Sequence, residues 1–183
     1  MQRIWHLTLL PIVMMVLMTP LSHGLSIDEA YQAIPHRQTT FDPTQASMST
    51  QERTYLKEHL YLVDLTMAYR VGALKYITSK GRQGTDLKTY HRMVKGFLAD
   101  MDALTPPKSL KEYHQLVYDS VIRQKAYFVH LQEGTPFSSS HPYVRESHSK
   151  LVKAYNILMK RYPKASQHNK QAFFDHLCAL DFI

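Results

Sequence analysis

Histidine is the unusual chemical resource of this 183-residue chain. Nine histidines follow the first two dozen residues: His36, His59, His91, His114, His130, His141, His148, His168 and His176. No two stand four apart on one helix, the cheapest way to build a metal site. A site would have to converge between helices. The helix rise of ~1.5 Å per residue gives a test. It puts His91 ~8 Å beyond the start of its helix, His130 ~6 Å before the end of its own, and His148 ~9 Å into the next. In an up-down bundle these three reach similar depth at one end. His91, His130 and His148 are therefore the candidate metal ligands, with neutral imidazole nitrogens as donors. The plainer reading is that each hydrogen-bonds a neighbour or meets water. A haem held without covalent links would need an axial pair facing inward, and Met67 with His176 is the pair available. Neither a metal nor a haem is required by the pattern, so no cofactor is expected and both stay as alternatives.

Asp64 and Arg70 interrupt the richest apolar run, Leu60 to Leu74. They are six apart and cannot pair on one helix. They read as an unfamiliar enzyme site in a pocket, or as two structural partners of other helices. Lys150, Lys153, Lys160 and Lys164 form a basic row that suits an anionic surface such as lipid headgroups, or is a solvated face. Cys178 has His176 two residues away, on a different face, and reads as a small buried hydrophobe. Tyr90, Tyr113, Tyr155 and Tyr162 fit core-edge positions with wet hydroxyls. The motifs H-E-x-x-H, G-x-S-x-G, G-x-G-x-x-G, E-x-x-H and the phosphate-binding P-loop do not occur. A single cysteine excludes an internal disulfide, a Cys-based zinc knuckle and covalent c-type haem attachment.

The elements that must position these groups are helical. Ser49 with Glu52 forms a capping box. Leu56, Leu60, Val63, Met67, Val71 and Leu74 then step by three or four to near Gly81. A second helix spans about Asp86 to Leu104, stopped by Thr105-Pro106-Pro107. A third starts at Ser109, with Glu112 as box partner, and runs to Gly134. Thr135 to Pro142 reads as a loop. A fourth carries Val144, His148, Leu151, Tyr155, Leu158 and Tyr162 to Pro163, and Ser166 caps a short fifth. Ahead of them, Ser26 to Ile34 reads as a short helix and His36 to Met48 as an extended strap. The fold expected is all-α: an up-down helical bundle of four main helices over 49–183, with a short N-terminal helix plus strap over 25–48 and a short C-terminal helix.

Residues 1–24 read as a signal peptide. Arg3 precedes the apolar run Leu7–Met18, and Ser22 and Gly24 suit a cut after Gly24. The run falls short of the ~20 apolar residues of a spanning helix. An uncleaved membrane anchor is the alternative. No later segment is apolar enough to span a bilayer. The net charge is +7, which suits anionic partners, while export argues against intracellular nucleic acid. The sequence thus leads to an exported, periplasmic or secreted, non-enzymatic bundle that binds a partner or ligand in the cell envelope or outside the cell.

Overall fold

The computed structural model describes residues 39–45, 47–80 and 85–181. The leader, the short helix after Ser26 and the start of the strap lie outside the described residues. Within them the chain is all-α: α1 (Thr50–Lys80), α2 (Thr85–Ala103), α3 (Lys111–Gln132), α4 (Pro142–Arg161) and α5 (Gln167–Leu180). Short 3-10 turns stand at Pro43–Gln45 and Lys108–Leu110.

Local chemistry sets the helix boundaries. Glu52 N–H donates to Ser49 Oγ and Ser49 N–H donates to Glu52 Oε2, each at 3.2 Å, which completes the expected box. α2 stops at Ala103, ahead of Pro106 and Pro107, which carry no amide hydrogen to continue the ladder. α3 ends on Gly134, whose φ of 111° is left-handed. Thr135 N–H bonds back to His130 O and Gly134 N–H to Leu131 O, so the last carbonyls find partners. Ser166 Oγ accepts from Asn169 N–H and starts α5. The expected box of Ser109 and Glu112 is not made. α3 is capped by Leu110 without a side-chain bond. Ser109 Oγ donates instead to Glu52 Oε1 at 2.8 Å, because a buried carboxylate needs every donor in reach.

The helices form a ring. α1 packs on α2, α2 on α3, α3 on α4 and α4 on α5, and α5 returns to α1. The short last helix is therefore an integral stave of the bundle. Inside lie Leu56, Leu60, Val63 and Met67 of α1, Leu87, Val94 and Met101 of α2, and Val117, Val121, Phe128 and Leu131 of α3. Val144, Leu151 and Leu158 of α4 and Phe173, Leu177 and Leu180 of α5 complete the core. Each such residue contributes about 1.5–3 kcal/mol on burial. The end of the strap lies along α5. Phe41 stacks on Phe173 at 5.7 Å. Asp42 N–H donates to Asn169 Oδ1, and Asn169 Nδ2 returns a bond to Asp42 O. No described helix is long and apolar enough to cross a membrane.

Candidate functional site

α4 and α5 meet in a surface groove of about 160 Å³, lined by His148, Leu151, Val152, Tyr155, Phe174, Leu177, Cys178 and Asp181. The spacing explains the lining. Positions 148, 151, 152 and 155 fall on one side of α4, 174, 177 and 178 fall on the facing side of α5, and Asp181 caps the end of α5. Phe174 and Val152 remain 47% and 43% exposed. Tyr155 meets Phe174 edge-on at 5.8 Å. The groove is apolar along its length and polar at one end, where His148 Nδ1 and Asp181 Oδ2 share a hydrogen bond of 2.5 Å. Cys178 is exposed in this groove rather than buried. The helical stripe that carries Leu177 and Leu180 inward turns residue 178 outward.

Behind the groove, three side chains tie the end of α5 to the bundle. Asp64 Oδ1 and His176 Nδ1 lie 2.6 Å apart. Arg70 donates to Ala179 O, and Gln124 Nε2 donates to Leu180 O at 2.7 Å. Burial lowers the Arg70 pKa to about 10, opposed by the field of Tyr90 and of Asp181, and it stays cationic at neutral pH. Asp64 and Arg70 thus serve different partners, and neither lines the groove. They position the helix that forms one groove wall.

The structure does not bring His91, His130 and His148 together. His91 packs against Tyr90. Burial lowers its pKa, with a hydrogen bond donated to Gln132 opposing and Lys125 adding to the shift. The ring of His130 lies 5.6 Å from His141 and 5.3 Å from Tyr143. His148 faces Asp181. Depth along the axis carries no information on rotation about each helix, which also decides whether side chains meet. Among the described residues, no group of three or more His, Cys, Asp or Glu is placed to hold a metal ion. Met67 is buried in the apolar core. His176 has its Nδ1 on Asp64, and the groove includes neither residue and is far below the volume of a macrocycle site. The residues present do not fit a haem.

The basic row is also divided. Lys150 reaches Asp119 of α3 at 3.2 Å. Lys153, Lys160 and Lys164 are exposed. Helix rotation places Lys150 on the α3 side, away from the groove.

A second polar cluster escaped the sequence reading. Tyr55 OH and His114 Nδ1 are 2.9 Å apart, and Tyr113 OH and His59 Nδ1 are 3.2 Å apart. Tyr113 and Tyr90 are fully buried, not at the core edge. Its one legible signal was position. Glu52, His59, Thr66 and Arg70 fall on the same face of α1 as the apolar stripe, and all are buried. Comparison of the chain with protein-family models, with curated proteins and with solved structures finds no significant match.

Proposed function

We propose that this chain is an exported, non-enzymatic helical bundle that binds a small apolar ligand in the groove between α4 and α5, in the cell envelope or outside the cell. The leader pattern supports export, and the missing catalytic motifs support a binding role. The observation that carries the ligand reading is the groove. Its volume of about 160 Å³ is close to the roughly 150 Å³ cavity that admits benzene in an engineered core. Leu151, Val152, Phe174 and Leu177 supply apolar walls, and His148 with Asp181 supplies a hydrogen-bonding end. The ligand chemistry that fits is one ring or short alkyl group carrying one polar end. The basic row is a weaker attraction, since Lys150 already meets Asp119.

The test is an NMR titration of the full chain with phenol and with hexanoate. Saturable shifts centred on Leu151, Val152, Phe174 and Leu177 are expected at millimolar concentration or below. Phe174→Ala removes one wall at an exposed position, where stability changes stay within about 0.5 kcal/mol, and weakens binding at least tenfold. Shifts that fail to saturate, or that map to the far side of the bundle, overturn the ligand reading.

A further inference from the structure

Two tyrosine–histidine pairs span the interior between α1 and α3, which are not neighbours in the ring of helices. The pairing is reciprocal. α1 gives the phenol of Tyr55 to His114 and the imidazole of His59 to Tyr113, and α3 answers with the complementary groups. The rings are packed into one stack of contacts: Tyr55 to His59 at 5.3 Å, His59 to Tyr113 at 5.0 Å and His59 to His114 at 5.5 Å. His59 is 0% exposed, and its Nε2 is buried with no hydrogen-bond partner.

We propose that these crossed pairs are an acid-sensitive latch, in which a proton taken up by His59 or His114 releases α1 from α3 and loosens the centre of the bundle. The reason is solvation. A neutral imidazole bonded to its tyrosine hydroxyl leaves one ring nitrogen of His59 unpaired but carries no charge. An imidazolium at the same place needs a counter-charge or water, and burying it without one is costly.

The facing groups offer little relief. On α1, Tyr55 stacks on His59, and burial raises the Tyr55 pKa so that the phenol stays protonated. On α3, burial also holds the Tyr113 phenol protonated, and the His114 ring adds like charge. Tyr162, beyond α4, acts on Tyr113. From α2, Asp102 accepts from Tyr118, which stacks on His114, and so partly favours the charged form of His114. Glu52 lies two turns before His59 but is taken by Ser49, Ser109 and Arg161. Burial first and His114 second lower the His59 pKa to about 3, and burial lowers that of His114 as well. The unfolded chain therefore binds protons that the folded chain refuses. Stability is full above the ordinary histidine value near 6.5 and is lost as pH falls toward 3.

The test is urea unfolding of the full chain across pH 7.5 to 4. Each proton taken up only by the unfolded chain costs a factor of about ten in the folded-to-unfolded ratio per pH unit. Replacing both members of one pair, His59→Phe with Tyr113→Phe, keeps the volume and leaves no orphaned hydroxyl. That variant should lose about tenfold per pH unit of the slope between pH 6 and 4, whereas exposed His168→Gln keeps the wild-type slope. An NMR titration of the wild-type imidazoles decides the matter if the double variant does not fold. His59 should stay neutral at pH 5 in the folded chain. A His59 that titrates near 6.5 while the chain is folded, or a double variant with the wild-type slope, overturns the latch.

Discussion

Glu52 shows how much one buried group can carry. It closes the capping box of α1, accepts from Ser109 before α3, and holds Arg161 at the end of α4. Burial alone would raise its pKa, but hydrogen bonds from Ser109, Arg161 and Ser49 outweigh that and lower it to about 2. A carboxylate shifted this way adds stability that is complete above its unfolded value near 4.5 and vanishes as pH falls through 2. Glu52→Gln should therefore cost about 2–3 kcal/mol at neutral pH, read by urea unfolding. The gap to the wild type should close between pH 4.5 and 2. A constant gap across that range would mean that packing, not charge, is what Glu52 supplies. The sequence showed Glu52 as a local cap, because a spacing of three is visible in one dimension. Its bonds to Ser109 and Arg161 span 57 and 109 positions and leave no local trace. The same limit hid Tyr55–His114 and Tyr113–His59.

At the scale of elements, the stripes at three- and four-residue spacing located all five described helices to within a few residues. That signal is strong because each helix buries one face and the period is fixed by geometry. The breakers were equally plain: Pro106 and Pro107 after α2, Gly134 after α3, Pro163 after α4. Tertiary demand won where it competed with local preference, as when Ser109 left its expected box for Glu52. α5 carries more than its length suggested. It bears one wall of the groove, receives the strap through Phe41, Asp42 and Thr39, and is held by Asp64, Arg70 and Gln124. Its cap is a local handle on this assembly. Ser166→Ala removes the acceptor for Asn169 N–H and should cost about 1 kcal/mol, seen as a lower urea midpoint with an unchanged slope. It should also weaken ligand binding, since the groove wall begins to fray. An effect on binding without any change in midpoint would contradict the idea that α5 is positioned as a unit.

For the whole molecule, the ring of five helices explains why a chain with one cysteine needs no disulfide. A bundle the size of the described residues buries enough apolar surface in one core to fold alone. The core is closed by a last helix that the sequence marked only as a short addition. The candidate site was less legible than the fold. His148 meets Asp181, which lies 33 positions away just past the end of α5, a separation that leaves no local trace in the sequence. Export with loss of residues 1–24, and a ligand in the α4–α5 groove, are the two proposals at this scale. Native mass spectrometry of protein recovered from its own compartment tests both at once. The expected species is a chain that begins at Leu25 and carries a noncovalent small apolar molecule, which Phe174→Ala loses. A chain that still begins at Met1, or a cleaved chain that is empty in every preparation, would contradict the proposals.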